Sequence, residues 1–441
     1  METLERLRAG QLVGQRRLKL AAGLTAFPME ILAMADSLEF LDLSGNRFSS
    51  LPEAFSRLKQ LKVLFLNNNS FTAFPAVLAE CPALSMISFK HNQIGVVDDH
   101  ALSSTIRWLI LTDNRLTALP RSIGQLTQLQ KLMLAGNQLQ SLPDEMANCR
   151  SLELMRLSAN RLQALPDWLF SLPRLAWLAY AGNPCCPETS SATRSIPLID
   201  EDELQIGDVL GQGASGIIYR ALWKPAAAEC QQVAVKLFKG EVTSDGLPAD
   251  EMRACIAAGS HPNLVTVLGQ LRSCFTSSGQ DKAGLVFSFI SPDYQNLGGP
   301  PDLDTCTRDT YPEGTAFELA VVLRILQGIG SAIAHLHSNG ITHGDLYAHN
   351  ILINGAGESV LGDFGAASFH APEDETAQSL KRLEVRAFGC LMEDLLDRCV
   401  SVKGEAVASL RRLQKACMHP VPVERPLFAE ILVGLAIIAD C

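Results

Sequence analysis

Apolar residues in the first part of the chain recur in one phrase, L-x-x-L-x-L-x-x-N-x-L-x-x-L-P. Clear copies begin at Leu38, Leu61, Ile106, Leu129 and Leu152, a weaker one at Leu84, and a last one at Leu175. Asn46, Asn69, Asn92, Asn114, Asn137, Asn160 and Asn183 follow with a period of 23 and a single step of 22. The L-x-L alternation predicts a short strand whose leucines all face one core. Each asparagine amide both donates and accepts, so it can satisfy turn backbone that would otherwise be buried unpaired. Pro52, Pro75, Pro120, Pro143 and Pro166 then open return segments expected to be short helix or irregular turns. Cys81 and Cys149 stand at equivalent return positions and read as core filler.

A period of this length is the mark of a repeat array. The phrase resembles the leucine-rich repeat family over roughly residues 18–187, with LKLAAGLTAFP as a divergent first turn. That resemblance implies stacked strands forming a parallel sheet on the concave side of a horseshoe. The positions between the leucines then face outward. One column reads Phe40, Val63, Met86, Trp108, Lys131, Leu154, Trp177, and the next Asp42, Phe65, Ser88, Ile110, Met133, Arg156, Ala179. The stripe is unusually apolar for a solvent face, so Phe65, Trp108, Met133, Leu154 and Trp177 are candidates for docking a protein partner. The competing reading is that the stripe packs against the chain's own second half.

The charge balance changes along the chain. Residues 1–187 hold 18 Lys and Arg against 15 Asp and Glu, and residues 188–441 hold 19 against 32. A net charge of −10 argues against nucleic acid as a main partner. ETSSATRSIPLIDEDE (188–203) is polar and lacks periodicity, which predicts a linker between a repeat domain at 1–187 and a second domain at 204–441. No uninterrupted uncharged apolar run long enough to span a bilayer is present, and the charged N-terminus lacks a signal core. Twelve scattered cysteines have neither metal-ligand spacing nor the density of a disulfide scaffold. The expectation is a cytoplasmic protein with no transmembrane segment.

From Leu204 the pattern becomes that of a mixed domain. Gly211-x-Gly213-x-x-Gly216 is weak evidence alone, because dinucleotide folds use the same spacing. Here, however, the glycines lead into IIYRAL, a strand, and Lys236 ends VAVK on a second strand. Glu251 falls on a helix predicted over 248–258, and LVFSFI (285–290) reads as a strand leading to a hinge. His343-Gly344-Asp345 follows, then Asn350, then Asp363-Phe364-Gly365, and Arg425 lies in a helical tail. Six motifs in this order resemble the eukaryotic-type protein kinases, nearest the tyrosine-kinase-like branch, over 204–441. HGDLYAHN also resembles kinases joined to leucine-rich repeats in bacteria. The expected architecture is therefore an α/β leucine-rich-repeat solenoid (horseshoe) followed by an α+β bilobal protein kinase fold.

The resemblance implies ATP as substrate and Mg²⁺ as its cation. Gly211, Gly213 and Gly216 would close over the phosphates, Lys236 would hold them, and Glu251 would orient the lysine. Ile218 and Ala234 would sandwich the adenine, with hinge backbone from Phe289 and Ile290. Asn350 and Asp363 would supply hard oxygen ligands for the cation, and Asp345 would accept the acceptor's hydroxyl proton. His343 is expected to be structural, packed on Phe364. The departures are as informative. Gly344 replaces a common arginine, Tyr347 replaces a lysine that contacts the transferring phosphate, and its hydroxyl is left as a substitute hydrogen-bond donor. A literal Ala371-Pro372-Glu373 follows Gly365 after only five residues, so the activation segment is truncated or its usual anchor is lost. Glu384 stands where the family's next long helix carries Asp. A protein kinase, Ser/Thr favoured and Tyr open, is the leading expectation; a nucleotide-binding scaffold without phosphotransfer is the alternative.

Overall fold

The computed structural model describes residues 2–187, 196–225, 229–240, 242–272, 283–371, 375–401 and 403–440. The chain divides into two compact units, Met1–Leu175 with Asn183–Cys185, and Ala176–Gly182 with Cys186–Cys441.

The first unit opens with helix α1 (Glu2–Arg8) and then stacks three-residue strands: β1 (Arg17–Lys19), β2 (Phe40–Asp42), β3 (Val63–Phe65), β4 (Met86–Ser88), β5 (Trp108–Ile110), β6 (Lys131–Met133) and β7 (Leu154–Arg156). Successive strands pair in parallel and in register. The central leucines, such as Leu64, Leu109 and Leu132, are fully buried. Five return segments are one-turn 3₁₀ helices, each entered through the prolines at 52, 75, 120, 143 and 166. Proline suits that entry because its fixed φ matches the first turn and its missing N–H has no partner to lose.

The asparagines form a ladder. Asn137 donates to the carbonyls of Leu111 (2.8 Å) and Leu134 (2.9 Å) and accepts from the Leu116 amide (3.0 Å). Asn160 repeats the pattern with Leu134, Leu157 and Leu139. One amide thus joins consecutive repeats and satisfies backbone that water cannot reach. The residue before each ladder asparagine is left-handed, which suits Gly45 and Gly136 but also holds for Ala159 (φ 53°). Cys81 and Cys149 are buried thiols, and burial pushes both up to about 11.

The second unit begins with Ala176–Gly182, which carries strand β8 (Trp177–Ala179). The expected linker at 188–203 ends early: β9 (Leu198–Ile199) pairs in parallel with residues 270–271. A two-residue strand carries too little alternation to be seen in sequence. The upper sheet continues with β10 (Leu204–Gln212), β11 (Gly216–Trp223), β12 (Gln231–Phe238), β13 (Val267–Leu271) and β14 (Gly284–Ser288), in the order β10-β11-β12-β14-β13-β9. Ile199, Leu204, Ala221, Val233, Val235, Leu271 and Val286 form its core. Helix α2 (Pro248–Ala258) falls where the sequence predicted it.

Below it lie β15 (Gln295–Asn296), α3 (Leu319–Ser338), β16 (Ile341–Thr342), β17 (Ile351–Ile353), β18 (Ser359–Leu361), β19 (Ser368–Phe369), α4 (Glu375–Asp397), α5 (Glu405–Cys417) and α6 (Phe428–Ala439). Helix α3 is long and apolar enough, by length and composition alone, to cross a membrane. Here its Val322, Ile325, Ile329 and Ile333 are fully buried and it packs on α6 as the core helix of this layer.

Replacing Asn137 by Ala leaves the buried Leu116 amide without its acceptor and takes one of two asparagine donors from each of the Leu111 and Leu134 carbonyls. Asn137→Ala is expected to cost about 1–3 kcal/mol, whereas Asn148→Ala, at the exposed end of the return helix after Pro143, should stay within about 0.5 kcal/mol. Urea unfolding of both variants compares them, and equal effects would remove the ladder from this account.

Candidate active site

Strand periodicity builds the roof. Val233 and Val235 point into the sheet core, so Ala234 and Lys236 point the other way. Ile218 pairs with Lys236, and Arg220 and Phe287 flank Ala234. All five line a cavity of about 530 Å³. Phe289 and Ile290 lie just beyond the last residue of β14 and line it as well. Glu251 enters from α2, and Asn350 and Asp363 from below.

Gly211, Gly213 and Gly216 belong to the β10–β11 hairpin, whose Leu210 and Ile218 face the cavity. Their reasons for being glycine differ. A Cβ on Gly211 or Gly213 would meet nothing in the chain, whereas one on Gly216 would come within 2.5 Å of the Leu237 carbonyl. Gly216 is therefore fixed by the neighbouring strand, and the other two keep open space where a ligand would approach.

Lys236 and Glu251 form a buried ion pair, their side chains 12% and 3% exposed. Burial works against the ammonium, but the carboxylates of Glu251 and Asp363 outweigh it and raise its pKa. Lys236 thus stays a cation in a low-dielectric wall, where a fixed charge acts strongly on an anion. Asp363 is exposed in a left-handed turn (φ 53°), with one oxygen accepting from the Gly365 amide at 3.1 Å. Asn350 donates its amide nitrogen to the Asp345 carbonyl (2.9 Å) and carboxylate (2.8 Å), which leaves its oxygen as the possible ligand. Among the described residues no cluster of three or more His, Cys, Asp or Glu could hold a metal alone. One carboxylate and one amide suit Mg²⁺, which takes its remaining ligands from phosphate and water.

The loop bearing Asp345 is fastened from several sides. Glu384 of α4 accepts from the His343 amide (3.2 Å) and the Gly344 amide (2.7 Å), and it meets His337 Nε2 at 2.7 Å. Burial opposes its charge, yet His337, nearby His343 and the Gly344 amide outweigh this and hold its pKa below the usual range. His343 is fully buried, packs on Phe364 at 5.2 Å, and bonds the Gly362 carbonyl at 2.9 Å. Asp309, for which the sequence offered no signal, takes the Ala348 amide at 2.5 Å and His349 Nδ1 at 2.6 Å. Sequence reasoning also missed Leu210, Val265, Phe287, Ser288 and Leu352 as lining residues; Leu210, beside Gly211, and Leu352, two past Asn350, stood next to recognised motifs.

Two expectations need correction. Tyr347 does not line the cavity: its ring is 4% exposed and covered by Trp177, so its hydroxyl is no replacement for a phosphate-contacting lysine. Trp177 is itself 2% exposed, which removes it from the open partner face. Met133 (7%) and Leu154 (3%) are buried too, while Phe65 and Trp108 remain half-exposed. Even those two are partly covered along the stripe, where strands lie about 4.8 Å apart: Phe40 sits against Phe65 (5.6 Å) and the Lys131 ammonium over Trp108 (4.3 Å). Of Ala371-Pro372-Glu373, the last two lie outside the described residues. Helix α4 nevertheless starts at Glu375, so the stretch after Gly365 is short. Arg425 is buried and bonds the carbonyls of His419 (2.9 Å) and Arg382 (3.1 Å).

The family described as protein tyrosine and serine/threonine kinase matches residues 204–403, and the leucine rich repeat family matches residues 36–94, 104–162 and 127–184. The chain contains leucine-rich repeats and a protein tyrosine and serine/threonine kinase domain. It is 30% identical over 168 residues to cyclin-dependent kinase 11A of Homo sapiens, covering 38% of this chain and 19% of that protein. The serine/threonine-protein kinase PITSLRE of Drosophila melanogaster is 31% identical over 168 residues, covering 38% and 16%. A putative serine/threonine-protein kinase/receptor of Acanthamoeba polyphaga mimivirus is 26% identical over 287 residues, covering 54% and 16%. The chain thus spans about a fifth of the length of the first of these relatives.

Burial disfavours charge on His349, but the Asp309 hydrogen bond and the carboxylates of Asp345 and Asp363 raise its pKa above the ordinary 6.5. A raised value means the charged form stabilises the fold fully below the unfolded pKa, and the gain is lost as pH climbs through the folded one. The difference in urea midpoint between wild type and His349→Gln is therefore expected to be larger at about pH 6 than at about pH 9. A gap that does not shrink would contradict this assignment.

Proposed function

We propose that the chain is an ATP- and Mg²⁺-dependent protein kinase acting on protein hydroxyls, Ser and Thr above all. The observation that carries this reading is the meeting of Lys236, Glu251, Asn350 and Asp363 around one cavity, with Asp345 bonded to Asn350. Ile218, Ala234, Phe289 and Ile290 would hold the adenine, the hairpin of Gly211, Gly213 and Gly216 would cover the phosphates, and Lys236 would grip them. Asp363 and Asn350 would hold the cation, which neutralises charge on the phosphates. Asp345 would orient the acceptor hydroxyl and take its proton as the bond to phosphorus forms. Retention of each of these groups supports catalysis over a scaffold. The names of the relatives, cyclin-dependent and serine/threonine-protein kinases, support the Ser/Thr preference.

We read the repeats as a curved solenoid that binds a substrate or regulator through its exposed apolar positions, now centred on Phe65 and Trp108. Tethering the acceptor would raise its local concentration to about millimolar, which suits a chain with a short segment after Gly365. The unpaired buried thiols of Cys149, Cys255 and Cys417 suit a reducing compartment, in line with a cytoplasmic placement.

Labelled ATP with Mg²⁺ and a generic protein acceptor tests the reading. Asp345→Asn should keep nucleotide affinity and lose about a hundredfold or more in turnover, while Asp363→Ala should lose both turnover and Mg²⁺-dependent affinity. Phosphoamino-acid analysis of the product reads the acceptor. Nucleotide binding by the wild type without transfer would leave only the scaffold.

A further inference from the structure

A seven-residue segment, Ala176–Gly182, belongs to the C-terminal unit although it precedes the rest of that unit in the chain. The Trp177 indole lies flat on the Tyr347 ring, with centroids 4.4 Å apart and planes at 7°. Its N–H donates to the Leu346 carbonyl at 3.0 Å. Three residues on, the Tyr180 amide donates to Ser368 Oγ and its hydroxyl to the Phe369 carbonyl, both at 2.9 Å. Between these anchors, the Leu178 carbonyl closes the space beside Gly344: a Cβ there would come within 2.7 Å of it and 2.5 Å of the Ala366 carbonyl.

One strap therefore grips both loops that matter for transfer. Leu346 and Tyr347 directly follow Asp345, and Ser368 and Phe369 follow Asp363 by a few residues on β19, which pairs with β16 just ahead of His343. The anchors are desolvated, with Trp177 and Tyr180 each 2% exposed. An indole N–H or a phenol hydroxyl bonded to a loop carbonyl in such a place combines apolar burial with a fixed direction. Irregular loops otherwise move, and transfer falls steeply when reacting groups drift by about an ångström. Between Gly365 and α4, Ser368 and Phe369 form β19, and Tyr180 holds both of them.

Resting on the kinase reading above, we propose that Trp177 and Tyr180 are positioning residues for phosphoryl transfer. They clamp the Asp345 loop and the strand after Asp363 in their working arrangement, without any modification of the stretch that follows Gly365. Neither residue lines the nucleotide cavity, so the clamp acts on turnover rather than on ATP binding.

The test uses the full chain with Trp177→Ala, Trp177→Phe and Tyr180→Phe, measuring turnover, nucleotide affinity, melting temperature and amide hydrogen exchange. Trp177→Ala should lower kcat about tenfold or more while the Kd for MgATP stays within about twofold. Exchange should quicken in 344–350 and 366–370 but not in 233–238. Trp177→Phe, which keeps a ring over Tyr347, should recover most of the turnover, and Tyr180→Phe should quicken exchange chiefly at 366–370. An active wild type matched by an equally active Trp177→Ala chain overturns this proposal alone. So does a variant whose turnover, nucleotide affinity and melting temperature fall together with exchange rising throughout, since the segment is then only part of the fold. A wild type that binds nucleotide and transfers nothing overturns the kinase reading, and this proposal with it.

Discussion

A single buried carboxylate fixes the geometry on which the site depends. Glu384, on α4, takes the amides of His343 and Gly344 and the imidazole of His337. A charge in such a place is tolerable only when every acceptor position is used, because taking one partner from a buried pair costs about 3–5 kcal/mol. The extra methylene of Glu over Asp does not disturb the arrangement, since both oxygens reach an amide. From there the constraint passes outward. The His343 ring packs on Phe364 and bonds the Gly362 carbonyl, so the turn presenting Asp363 is tied to the loop presenting Asp345. Asp309 fastens the far end of the same loop through Ala348 and His349.

The upper wall rests on a different rule. Alternation along β12 sends Val233 and Val235 into the core and leaves Ala234 and Lys236 facing the cavity. Burial works against the charge on Lys236; Glu251 from α2 and Asp363 from below outweigh it and hold its proton. The cation that would grip phosphate is thus stabilised by groups from both layers, which couples the position of α2 to that of the loop after β18.

Much of this was legible because each feature has a local cause. Lys236, Glu251, Asn350 and Asp363 sit in short motifs whose spacing fixes the face of a strand, a helix or a turn. The asparagine ladder is legible for the same reason, since one residue type recurs wherever a buried turn needs both a donor and an acceptor. What escaped depends on partners remote in sequence. Asp309 lies in a stretch without a motif, and its role comes from meeting Ala348 and His349 some forty residues later. Leu198–Ile199 is too short to show a period. Trp177 was placed correctly by repeat phase, pointing out from its own strand, but phase does not say what covers an outward residue. Here the Tyr347 ring covers it, 170 residues further along the chain.

The departures from the family pattern follow from one steric condition. Gly344 has a left-handed φ of 72°, and the Ala366 and Leu178 carbonyls occupy the space a side chain would need. An arginine at that position is excluded by backbone, not merely absent. Without a cation at 344, a phosphate on the following stretch could not be paired to the Asp345 loop through that position. A short stretch, hydrogen-bonded through β19 to β16 and held by Tyr180, meets the same need with contacts present from the moment of folding. The glycine at 344 and the burial of Tyr347 both reflect where Ala176–Gly182 lies, together with the Ala366 carbonyl at 344. A larger residue at 344 would therefore disturb that segment and the post-Asp363 strand together, because both carbonyls would have to retreat from the same atom.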